Sequence, residues 1–327
     1  MKRLALFFLP LVTVACASLD SPDAAAGVGS TLLIGNKGED TLSFLALDSG
    51  QELVRQPTGR MPHEIAVSPD GAQAAVVAYG GNTIDVFDLR SRTRVRTINL
   101  GDNRRPHGLL WLPDGRLVAT AEGSQTLVVV DTRAGDRLTA VPTGQPGSHM
   151  VAVTPDLSRA FVANIPAGTV TAIDLSAGRK IGDIRVGGRP EGIAVTGDGR
   201  EIWVGDLEGA RVQMYDARTF AKLDEAAVGA VPIRVIASPD GRTMATSNMG
   251  DGSITLIDRA TRRVTRSIPV SGSRDAAQVT ILFSPDGRRL YVAETGRDQV
   301  AEVDLATGAV LRRLPAGRQG DGLAIAP

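Results

Sequence analysis

The chain of 327 residues holds 36 basic and 36 acidic side chains and so carries no formal net charge. Phosphate neutralisation needs a concentrated basic face, and neither this balance nor the short pair Arg104-Arg105 supplies one, so no nucleic-acid partner is expected. Cys16 is the only cysteine, which excludes an internal disulfide, a multi-cysteine metal site and a C-x-x-C-H haem attachment.

Residues 1–17 start with Lys2 and Arg3, continue as an apolar run over residues 4–14 and end in Ala15-Cys16-Ala17. A charged start, a greasy centre and a small-residue cleavage site describe an export signal. The run is too short for a span, which takes roughly 20 apolar residues. Cleavage after Ala17 gives a soluble periplasmic protein; cleavage before Cys16 leaves an acylated cysteine, and that lipid is then the only link to a membrane. Thr13-Val14-Ala15-Cys16 resembles the lipobox of bacterial lipoproteins, with Thr13 where leucine is usual. Residues 18–30 are small, polar and aperiodic and read as a tether.

From residue 31 onward a strand running into a Pro-Asp-Gly turn, or a relic of it, recurs at Pro69, Pro113, Pro155, Gly197, Pro239, Pro285 and Pro327. Successive positions differ by 44, 42, 42, 42, 46 and 42, the long step coming from extra residues around 271–278. A period of this length with several strands per repeat predicts a propeller, because one small sheet cannot bury its faces without stacking on neighbours.

Residues 61–100 show the unit. Strand A is expected over residues 64–68, strand B over 73–79, strand C over 83–88 with Ile84 and Val86 alternating, and strand D over 94–100. The order returns in residues 108–143, 151–186, 192–228, 234–270 and 279–316. Residues 31–58 supply B, C and D without A, and residues 322–327 supply A alone. Joined, they make a seventh blade of an all-β, four-strand-per-blade ring with no exposed edge.

Several segments carry a family likeness: LYVAE at residues 290–294, RAFVAN at 159–164, GSITLID at 252–258 and GGRPEGIAV at 187–195. The chain resembles the YVTN-repeat propellers, exported seven-bladed bacterial and archaeal proteins. The resemblance implies the fold over residues 31–327. For activity it implies only a range, since relatives include lactonases, copper and haem enzymes, and binding scaffolds.

The three histidines, His63, His107 and His149, each lie six residues before their turn proline. Equivalent positions in the other repeats are Glu191, Ile233, Val279 and Asp321. Strand A is innermost in this architecture, so its start opens on the mouth where the D-to-A and B-to-C loops meet. Imidazoles flanked by carboxylates there could ligate zinc or copper, with His63, His107, His149 and Glu191 as the set. The same groups, with Glu122, could share acid-base catalysis. A third reading makes each histidine a hydrogen-bond partner of a neighbouring loop and nothing more.

A second ring, at the end of strand B, comprises Asn36, Tyr79, Glu122, Asn164, Asp206, Asn248 and Glu294. Its asparagines are expected to fix the turn that follows. The D-to-A loops add Arg60, Arg104, Arg105, Arg189, Arg274 and Arg318; Arg60, Arg105, Arg189 and Arg318, with Glu294 and Asp321, are candidates for holding an anionic small molecule. No Gly-x-Ser-x-Gly elbow, phosphate-binding glycine loop or dinucleotide pattern occurs. The expected function is therefore a periplasmic or membrane-tethered binding module holding a small ligand or metal at its mouth. The alternatives are a lactonase-like hydrolase or lyase using the same ring, and a protein-interaction scaffold.

Overall fold

The computed structural model describes residues 30–327. The export signal and all but the last residue of the tether lie outside the described residues. Strands of the described residues form seven four-stranded antiparallel sheets, each in the spatial order A-B-C-D, with strand A of blade 1 supplied by the last strand of the chain. Blades 2 to 7 occupy residues 62–99, 106–142, 148–185, 190–227, 232–269 and 278–315; blade 1 combines residues 31–57 with residues 320–326. In blade 2 the strands are Pro62–Val67, Gln73–Ala78, Thr83–Asp88 and Thr93–Asn99, so strand A starts two residues earlier than expected.

The turn from A to B explains the repeat. Ser68 Oγ donates to Asp70 Oδ1 at 2.6 Å and accepts from the Gln73 amide at 2.9 Å, while Gly71 takes a φ of +69°. The same clamp joins Thr154 to Asp156 at 2.5 Å, Thr196 to Asp198 at 2.7 Å, Ser238 to Asp240 at 2.5 Å and Ser284 to Asp286 at 2.5 Å. The hydroxyl–carboxylate pair holds the turn without proline, so Gly197 stands in the proline position at no loss of geometry.

Closure joins the two expected segments. The last strand, Gly320–Ala326, pairs antiparallel with Thr31–Asn36, Thr31 facing Ala326 and Ile34 facing Leu323. The apolar core divides into seven clusters, one at each blade interface; Phe44 and Phe87, for example, meet edge to face between blades 1 and 2. Strands B and C therefore bury both faces, as in Ala74–Ala78 and Ile84–Phe87. The alternation expected for C marks no solvent face: Asp85, between Ile84 and Val86, is 1% exposed and accepts from the Gly59 amide and the Thr97 hydroxyl, each at 2.6 Å. Solvent alternation survives only in the outermost strands, such as Glu52–Pro57.

Strands A of adjacent blades touch one another all the way around the ring. Each begins with a bulge. In blade 2 Pro62 faces Ala78 and Ile65 faces Val76, so His63 and Glu64 together oppose Val77. The same two-against-one step holds His107 with Gly108, His149 with Met150 and Glu191 with Gly192. A left-handed residue precedes it, Met61 at φ 54°, Arg105 at 56° and Gly147 at 71° in blades 2 to 4. A bulge bends its strand and re-aims the side chains it carries; here it turns them toward the channel.

Glycine at the second bulge position lets neighbouring strands A close on each other. A Cβ on Gly108 would stand 2.8 Å from the His149 carbonyl oxygen, and one on Gly322 would overlap the His63 carbonyl oxygen. Gly322→Ala is expected to destabilise the protein by about 2 kcal/mol or more through overpacking. Gly182→Ala, where a Cβ meets nothing within 4 Å, is expected to be near neutral. Urea unfolding of both variants checks this, and equal midpoints would contradict the closure described.

Candidate functional site

The three histidines converge. On blades 2, 3 and 4 the His63 and His107 ring centroids are 4.9 Å apart and those of His107 and His149 are 3.6 Å apart, with Tyr79 4.6 Å from His63. All three imidazoles are buried or nearly so at the inner start of strand A.

Their partners divide them. His63 Nδ1 lies 2.9 Å from the Met61 carbonyl, which only accepts, so Nδ1 bears the proton. His149 has Nδ1 3.1 Å from Glu122 Oε2 and Nε2 3.4 Å from Glu191 Oε1. Two carboxylate partners favour two N–H donors, the imidazolium form of His149. His107 lies between them, and its buried Nδ1 has no hydrogen-bond partner.

Charged groups from five blades surround the stack. Arg234, only 4% exposed, reaches Glu64 Oε1 at 2.7 Å across the channel and Glu191 Oε1 at 3.3 Å on the adjacent blade. Lys37 Nζ sits 2.8 Å from Asp321 Oδ2, whose other oxygen accepts from Thr280 Oγ1 at 3.2 Å. The Tyr79 hydroxyl donates to Glu122 Oε2 at 3.1 Å. Arg105 bonds to that hydroxyl, places its guanidinium carbon 4.6 Å from the Tyr79 ring centroid and lies 3.5 Å from Glu122.

Of the expected residues, His63, His107, His149, Glu122, Glu191, Asp321 and Arg105 share this cluster. Arg60, Arg189 and Arg318 stand exposed in the loops of the same face, outside the hydrogen bonds of the histidines; Arg318 Nε donates instead to the Gly38 carbonyl at 2.6 Å. Glu294 does not reach the mouth: it is fully buried, with Oε2 2.8 Å from Arg313 Nε of its own blade. The expected turn role of the second ring holds where Asn36, Asn164 and Asn248 donate to hydroxyls beyond the turn, at 2.8, 2.9 and 2.9 Å.

Among the described residues no group of three or more histidine, cysteine or acidic side chains could hold a metal ion. The geometry explains why His63, His107, His149 and Glu191 form no such set. The His107 and His149 rings present faces rather than lone pairs to each other, both nitrogens of His149 are taken, and Glu191 Oε1 serves His149 and Arg234 at once.

Sequence reasoning missed Glu64 and Arg234. Both follow a ring position by one residue, where regular alternation would turn them away; the bulge admits two successive side chains to the channel.

Burial and the adjacent imidazoles hold His107 well below the ordinary histidine value, and burial lowers His63. Burial opposes charge on His149 too, but its bonds to Glu122 and Glu191 outweigh that and raise it. Burial pushes Glu64 up against the pull of Arg234. For Asp321 the attraction of Lys37 and Arg234 overcomes burial and lowers it.

His63 and His107 favour folding when neutral, so their contribution is intact above the ordinary value of 6.5 and is lost as pH falls below it. The contribution of His149 is complete below that value and is lost as pH rises through its raised folded value. In urea unfolding, His107→Gln is expected to reduce the stability lost between about pH 7 and pH 5 by about 1 kcal/mol or more. His149→Gln is expected to deepen that loss. Identical acid sensitivity in wild type and His107→Gln would contradict these states.

Comparison with known proteins agrees on the fold. The chain is similar to the dihydro-heme d1 dehydrogenase NirN, solved in complex with DHE, at 17% identity with a TM-score of 0.65, covering 90% of this chain and 74% of that one. It is also similar to a functionally unknown protein from Desulfotomaculum acetoxidans DSM 771, at 14% identity with a TM-score of 0.77, covering 90% and 98%. No curated protein matches the chain. The family model described as YNCE-like beta-propeller matches residues 6–326, and the chain belongs to that family.

Proposed function

We propose that the chain is a binding module of the cell envelope that takes a small molecule at the mouth lined by His63, His107 and His149. One observation carries the reading: three imidazoles from three blades meet at one buried point, and the middle one keeps a nitrogen with no partner. Groups that serve only to hold loops can satisfy their hydrogen bonds within the protein, as Asn36 and Asn164 of the second ring do. The comparison with NirN, solved in complex with DHE, supports a ligand-holding role for a propeller of this shape.

A second reading, a lactonase-like hydrolase or lyase, draws on a separate observation. An imidazolium and a neutral imidazole lie 3.6 Å apart between ring centroids, and environments that push two such groups in opposite directions supply an acid and a base. The export-signal reading of residues 1–17 supports a site in the periplasm or on a lipid anchor for either activity.

The imidazole nitrogen signals of uniformly ¹⁵N-labelled protein report on the site directly, because the chain has three histidines and all three lie in it. Screened against a small-molecule fragment set, hits are expected to shift the signals of His107 and His149. A parallel panel of lactones tests turnover. Hits that leave all three histidines unmoved would contradict the binding site, and lactone turnover lost in His107→Gln would favour the enzyme.

A further inference from the structure

The charges at the mouth cancel. Glu64, Glu122, Glu191 and Asp321 are matched by Lys37, Arg105, Arg234 and the His149 imidazolium, each within an ion pair at 2.7 to 3.5 Å. A cation brought into this set would have to displace one already paired. An anion needs one added positive charge, and His107 is the group able to supply it: its ring is neutral, stands at the centre of the cluster and has an unused nitrogen.

We propose, building on the small-molecule reading above, that the ligand is a small carboxylate-bearing anion and that it binds together with one proton, which His107 accepts. The proton comes from solvent, and no covalent bond changes. The groups facing His107 explain why it waits for the ligand. His63 and Tyr79 approach from blade 2 and His149 from blade 4, with Lys37 and Arg234 at longer range. Those that are charged are cations. Glu122 and Glu191 are spent on His149, Glu64 on Arg234 and Asp321 on Lys37. An arriving carboxylate reverses the local sign and makes the imidazolium favourable.

The rim beside the stack suits the anionic end. A cavity of about 510 Å³ between blades 2 and 3 is lined by Arg104 and Arg105, by one carboxylate, Asp102, and by Asn82, Gly80, Gly81 and Gly101. Arg105 belongs to both cavity and mouth through Tyr79 and Glu122, and Arg104 is exposed beside it. Guanidinium groups bind carboxylates through paired N–H donors.

Isothermal titration of the full chain with citrate, malonate and benzoate near pH 6.5, in two buffers of different ionisation heat, counts the protons taken up. Triethyl citrate and benzamide serve as uncharged probes. The expected result is carboxylate binding with uptake of about one proton, and movement of the His107 ¹⁵N signals to imidazolium positions. His107→Gln is expected to bind without that uptake; Arg104→Gln, a surface change, is expected to weaken binding about tenfold and keep the uptake. Carboxylate binding without proton uptake, or uptake retained in His107→Gln, would overturn the proposal. Preference for the uncharged probes at the three histidines would also overturn it while leaving the small-molecule reading intact. If no probe moves any histidine signal, both readings fall.

Discussion

At the start of each innermost strand the chain leaves its hydrogen-bond ladder, and the location and chemistry of the mouth depend on that departure. Two residues of strand A oppose one of strand B, in six of the seven blades directly after a residue held at positive φ. For Met61, Arg105 and Val231 that conformation carries a Cβ penalty of about 1–2 kcal/mol, offset by the ladder and the blade packing on either side. The consequence is geometric. A regular strand would send successive side chains to opposite faces; the bulge sends His63 and Glu64 to the same channel.

Small and large residues then share the second bulge position. Gly108, Gly192 and Gly322 let neighbouring backbones approach where side chains would collide. Glu64 and Arg234 fill the space that remains and tie opposite sides of the ring together. Ion pairs this buried add little net stability over an apolar core, because desolvation opposes their attraction, but removing one partner strands the other. Their service here is positional. Arg234 holds Glu191, Glu191 and Glu122 hold His149, and burial together with His149 disfavours charge on His107.

The repeat was legible because its turn chemistry is legible: each of the five hydroxyl–carboxylate clamps leaves a Ser/Thr-x-Asp trace in phase with the repeat, even where Gly197 replaces proline. Convergence of the three histidines was legible for the same reason, equal phase in adjacent blades. Side-chain aim was not. Tyr79, Glu122 and Glu294 hold one phase, yet the first two turn inward to the histidines while Glu294 turns to Arg313 of its own outer strand. Phase places a Cα; the neighbour that captures the side chain is a tertiary fact. The described residues hold no group of three histidine, cysteine or acidic ligands for a metal, and proximity of imidazoles says nothing about whether their lone pairs meet.

The family match extends over nearly the whole chain and agrees with the seven-bladed ring, but the fold alone leaves chemistry open. The mouth holds three chemically different histidines in one cluster. The imidazole ¹⁵N shifts of the free protein near neutral pH test that most directly. The account predicts an imidazolium pattern for His149, a neutral ring protonated at Nδ1 for His63 and a neutral ring for His107. Three rings titrating together around the ordinary value of 6.5 would contradict it.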